Sequence, residues 1–165
     1  MNNIDLANGL VFQALRVRKD TFDERLISQK KVFLLQEFGI NLGYSYNWYI
    51  RGPYSPDLIS YIYNKLDILS NYDFSDYSLS EKAREQVEKV NKLADDCPKT
   101  LSQASWYELL ASLLYIAKKW KSEDLTSILI KQKPQYTEEE CRAAITALKY
   151  YHELTNRGQE PYKEG

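Results

Sequence analysis

Residues 45–58, SYNWYIRGPYSPDL, concentrate the side chains in this chain best suited to recognising a ligand. Arg51 brings a fixed positive charge. Tyr49 and Tyr54 bring hydroxyls and ring faces. Ser55 reads as a helix N-cap, with Pro56 at the first helical position, where its missing N–H costs nothing. Asp57 suits the positive end of the helix dipole. A helix start also offers free N–H groups. Lys30 and the adjacent Lys31, upstream, lie among apolar neighbours; they either snorkel from the core edge or face a phosphate or carboxylate. Tyr49, Arg51, Tyr54, Ser55, Asp57 and Lys30 are therefore the candidate binding residues, for a carboxylate, a phosphate or a partner's backbone. A purely structural reading stands beside this one. In it Ser55 caps the helix, Pro53 and Pro56 stiffen the loop, Tyr54 packs down and Arg51 pairs with Asp57.

Other chemistry is sparse. His152 is the single histidine, so a Ser-His-Asp triad or a histidine metal cluster would have to use it. It falls on an apolar helical stripe, which suits packing or capping. There is no Cys-x-x-Cys pair for a structural zinc. Phosphate-binding glycine loops and the G-x-S-x-G elbow are also missing. Acidic clusters at Asp95-Asp96 and Glu138 to Glu140 sit at helix ends, the first closing a helix and the second opening one, where carboxylates are favourable anyway. Catalytic residues, metal ligands and cofactors are expected to be none. Cys97 and Cys141 fall on apolar stripes and read as buried free thiols.

The elements that position the turn follow from periodicity. Tyr46, Trp48 and Ile50 alternate with Asn47, Tyr49 and Arg51, predicting a half-buried strand at 45–50 with the first set facing the core. Gly52-Pro53 ends it. Leu58, Ile62, Leu66 and Leu69 then predict a helix over about 56–70, with Ile59 beside the stripe. Upstream, residues 4–18 predict a helix with Ile4, Ala7, Val11, Ala14 and Leu15 on one face, and Arg16, Arg18 and Lys19 at its end. A capping box at Thr21 and Glu24 opens a helix that stops at Gly39. Its buried stripe is Ile27, Leu34, Leu35 and Phe38, with Phe33 nearby.

Downstream, Tyr72, Phe74 and Tyr77 suggest an irregular return strand. Ser78 to Glu81 reads as a capping box for a helix carrying Ala83, Val87, Val90, Ala94 and Cys97, ended by Pro98. Residues 100–103 cap the central helix 103–120. It is apolar over most of its circumference, with Trp106, Leu109, Leu110, Leu113, Ala117 and Trp120 as its stripe. Lys118, Lys119 and Lys121 project from its end. Ser122 opens a short helix with Leu125, Ile128 and Leu129. Thr137 and Glu140 box the last, with Cys141, Ile145, Leu148 and His152. These two suggest a helix-turn-helix.

Gln29-Lys30, residues 32–36, Trp48-Tyr49 and the run Gly52 to Leu58 together resemble the YwgA-like proteins. More distantly they resemble the SocA-like Panacea antitoxin domain, with its Tyr-Gly-Pro turn. The helix around Trp106 to Ala111 and the helix opening at Thr137 fit the YwgA-like pattern, and the likeness covers roughly residues 24–155. Ser28 and Lys31 stand where leucines are expected, and Arg51 replaces an aromatic or aliphatic residue. The resemblance implies a fold more than an activity.

The 165 residues suit one domain over 1–155, or two sub-halves, about 1–98 and 99–155, with a frayed tail at 156–165. The expected fold is mainly α: a compact helical domain with a small two- or three-stranded β element and a winged-helix-like layout in the N-terminal half. A net charge of −1 gives no support for nonspecific binding to nucleic acid. No apolar stretch reaches membrane-span length and no signal sequence opens the chain, so a cytoplasmic protein is expected. Fourteen tyrosines favour an interface. The expectation is a non-enzymatic regulatory interaction module, antitoxin-like or defence- and mobile-element-associated, that binds a protein partner through the Tyr49–Asp57 turn. The alternative is a winged-helix-type DNA-binding regulator, against which the Glu-rich start of the last helix counts.

Overall fold

Helix signals in this sequence translate into seven α-helices and one two-stranded antiparallel sheet in a computed structural model that describes residues 1–119 and 124–151. The mainly α expectation holds. The chain divides into two compact units, Met1–Lys92 and a second that begins at Leu93. Trp120, Lys121, Ser122, His152 and the tail at 156–165 fall outside the described residues.

In the first unit, α1 (Asn3–Leu15) packs against α2 (Phe22–Glu37), α3 (Pro56–Ser70) and α4 (Glu81–Lys92). The buried face of α1 is rotated from the expected one. Asn8, Gly9, Val11, Phe12 and Leu15 are inside, while Ile4 and Ala7 are exposed. Two contacts drive this. A Cβ on Gly9 would come within 2.2 Å of the Phe74 ring, so glycine lets that ring lie against the helix. Asn8 is satisfied on both sides, donating to the Ile4 carbonyl at 2.8 Å and accepting from the Tyr44 hydroxyl at 2.8 Å.

α1 ends at Arg16, which takes a left-handed conformation with φ of 62°. The exposed carbonyls of its last turn are closed by side chains. Lys31 Nζ donates to Leu15 O at 3.0 Å, and Asn91 Nδ2 donates to Ala14 O at 3.0 Å. Lys31 thus helps to cap a helix. Ser28 has an equally definite task. Its hydroxyl accepts from Arg18 N at 2.9 Å and donates to Arg18 O at 3.0 Å, locking the connection between α1 and α2. Those are the two positions where leucine was expected.

α2 starts with the Thr21–Glu24 capping box and stops before Gly39, whose φ is 106°. Leu26 is buried and Ile27 only half-buried. Residues 71–80 form no strand, so the wing expected after α3 is not built. Phe74 is held there by packing on α1 and Tyr72 rather than by a backbone ladder. Ser80, not Ser78, caps α4 by accepting from Ala83 N at 3.1 Å.

The second unit opens with a 3-10 helix, Leu93–Asp96, so the expected helix ends at Lys92 rather than Cys97. Its centre is α5 (Gln103–Lys119), against which α6 (Leu125–Gln132) and α7 (Glu138–Tyr150) pack. Of its 17 residues, 12 are buried, as befits a helix apolar on nearly every side. Trp106 is wholly enclosed and donates Nε1–H to Leu93 O at 2.7 Å. Ser102 caps α5, while Thr100 donates instead to Glu140 Oε2 at 2.6 Å. Asp124 caps α6, and the Thr137–Glu140 box opens α7. The α7 stripe is Cys141, Ala144, Ala147 and Leu148, with Ile145 at its edge. Both cysteines are free. Cys141 is buried, its thiol pushed up to about 11 by burial and then by Glu140 and Glu138. Cys97 is only half-buried, and its S–H points at the Leu101 carbonyl.

Candidate functional site

The organising turn is a β-hairpin. β1 (Asn47–Tyr49) pairs with β2 (Gly52–Tyr54), Tyr49 opposite Gly52 and Trp48 opposite Pro53. Ile50 and Arg51 form the tip. Arg16 has the one positive φ among non-glycine residues described, so both tip residues keep ordinary φ values. Gly52 then takes φ of 86°, a left-handed step that glycine makes without strain. This corrects two expectations. Gly52-Pro53 does not end the β structure but begins the second strand. Ile50 does not face the core: it stands at the tip, 92% exposed. Alternation holds from 44 to 49, with even residues half-buried, and breaks where the turn begins.

The strand is short because the residues before it are held by side chains. Gln36 Oε1 accepts from Leu42 N at 3.1 Å and Tyr44 N at 3.0 Å, and its Nε2 donates to Tyr44 O at 2.9 Å. Tyr46 donates to Gln29 O at 3.1 Å and sets its ring against Phe33.

Below the hairpin, α2 supplies a buried polar clamp. Gln29 Nε2 donates to Ser55 O at 2.8 Å, and Gln29 Oε1 accepts from Ser55 N at 3.0 Å. Lys30 Nζ donates to Pro53 O at 2.5 Å. Pro53 cannot donate to a ladder, but its carbonyl still needs a partner, and a charged donor is the strong choice. Lys30 and Ser55 are both fully buried. Neither can meet a partner or an anion in solvent. Ser55 caps α3 as expected, accepting from Leu58 N at 3.3 Å. These two candidates hold the surface from beneath.

The exposed candidates part company too. Tyr49 and Tyr54 meet edge to face, 5.4 Å between centroids. The Arg51 guanidinium lies over the Phe22 ring, 5.5 Å from its centre, a cation–π contact absent from the sequence reading. Asp57 is exposed in the first turn of α3 and lines no part of the groove described next.

Tyr49, Arg51 and Tyr54 line an open groove of about 410 Å³ together with Phe22, Leu26 and Tyr63. Ile50, Ile59, Arg25 and Gln29 complete it. Burial, then the neighbouring Tyr63 and Tyr49, raise the Tyr54 hydroxyl above its ordinary range, so it remains a neutral donor. No protein-family model, curated protein or solved structure matches this chain.

The groove's other half was missed, although a signal existed. Phe22, Arg25, Leu26 and Gln29 are spaced i, i+3, i+4 and i+7, one face of α2. Ile59 and Tyr63 are an i, i+4 pair on α3. Stronger stripes on the same helices masked both. The described lining residues offer shape, aromatic faces, hydroxyl donors and two guanidinium groups. Among the described residues, no group of His, Cys, Asp and Glu could hold a metal ion, and no helix is long and apolar enough to cross a membrane.

Proposed function

We propose that this protein is a non-enzymatic regulatory interaction module, antitoxin-like in kind, that binds a protein partner through the groove lined by Tyr49, Arg51 and Tyr54. One observation carries the reading. Exposed aromatic and aliphatic side chains and an arginine surround a concave site whose floor is held rigid by buried bonds from Gln29 and Lys30. Tyrosine and arginine in such a setting are typical anchors of an interface. A pre-organised surface also loses less entropy on binding. The likeness to Panacea-type domains supports the antitoxin-like character. DNA binding finds less support, because the first turn of α7 presents Glu138 and Glu139 to solvent.

Arg51→Ala is the test. The variant should keep its thermal stability to within about 1 kcal/mol, as for an exposed charge. A partner isolated with the wild-type protein should bind the variant more weakly by about 2 kcal/mol or more. A clear loss of stability with binding intact would return the turn to a purely structural role.

A further inference from the structure

The geometry points to a definite occupant: a segment of the partner protein in which an acidic side chain stands beside a large apolar one. This rests on the protein-binding reading and adds the chemistry of what is bound. Among the described residues lining the groove, the charged ones are Arg25, which also donates to the Lys19 carbonyl at 2.8 Å, and Arg51. Arg51 already lies against the face of Phe22, so a cationic occupant would meet a guanidinium on the aromatic wall. The phenols add neutral O–H donors, which also suit an acceptor.

The apolar half of the match comes from the rim. Ile50 is 92% exposed, and Phe22 and Tyr63 are each more than half exposed. Covering them removes apolar surface from water. At about 410 Å³ the groove admits side chains, in the range of sites that take small groups rather than a flat domain face.

The experiment pans a random peptide library displayed on phage against the full chain. Recovered peptides should carry Asp or Glu beside Leu, Ile, Phe or Trp. Their affinity should fall about tenfold or more on Arg51→Glu, and that variant should instead favour the same peptides with Lys replacing the acid. Melting curves confirm that the variant is folded; if it is not, Arg51→Gln serves for the affinity loss. Basic or uncharged peptides that depend on Arg51 and Ile50 would overturn the charge assignment but leave the protein-binding reading standing. Peptides indifferent to both Arg51→Glu and Ile50→Asp would overturn both. So would binding of octanoate or phenylacetate in the groove with no peptide recovered there.

Discussion

Among the described residues, two lysines are buried, one in each unit, and different chemistry holds them. Lys133, in the second unit, forms an ion pair with Glu108 at 3.1 Å, both side chains almost wholly enclosed. Lys30, in the first, donates to the neutral Pro53 carbonyl. Removing an ammonium group from water costs several kcal/mol, so each needs a strong partner. In the second unit the compensation is charge against charge, and it ties the end of α6 to the central helix. In the first it is charge against a backbone dipole, and it ties α2 to the hairpin that shapes the groove. The difference teaches where the molecule is most fragile. Loss of Lys133 breaks a buried ion pair; loss of Lys30 removes a charged donor from a backbone carbonyl.

The largest effect should therefore come from Lys133→Met, which breaks the buried ion pair with Glu108 and should cost about 3–5 kcal/mol. Pairing it with Glu108→Leu should recover most of that loss. Urea titration of the two variants checks both, and a double variant no more stable than the single one would break the comparison.

Lys30→Met should cost less, about 1–3 kcal/mol, the penalty of an unsatisfied buried acceptor. Its mark should be local: faster amide exchange over residues 47–54 than over α5. Uniform loosening would mean that the clamp serves the whole fold.

Lys31 gives the smallest effect and a pH signature. Burial, then Arg16 and Arg18, lower its pKa from 10.5 to about 8. Between those values the folded protein binds fewer protons than the unfolded chain, so this residue makes stability rise with pH across that window. Cys141, raised from 9.0 to about 11, acts in the opposite sense above its ordinary value. The interval from about 8 to 9 is therefore the clean one. Stability measured there should rise more steeply with pH for wild type than for Lys31→Met, and parallel slopes would remove Lys31 from the account.

Local signals were legible. The capping boxes at Thr21 and Thr137, Ser55 with Pro56, and the apolar stripe of α3 lie where the sequence placed them. Each rests on neighbours three or four residues apart, so the information is local. The candidate site was half legible. Tyr49, Arg51 and Tyr54 reach the groove, but Lys30 and Ser55 are buried beneath it and Asp57 lies outside it. Phe22, Arg25 and Tyr63 come from other helices, and no spacing near residue 51 could announce them.

By itself, then, the sequence determined the helical type of most elements, the place of the first strand and the dominance of α5. Hydrophobic period, caps and turn residues act over a few positions and need no partner. Tertiary structure decided which polar side chains went inside. A lysine can snorkel, cap a helix as Lys31 does, clasp a carbonyl as Lys30 does, or pair with a carboxylate as Lys133 does. The choice depends on whether an acceptor distant in sequence comes within bonding distance, because burying the charge is tolerable only where one does.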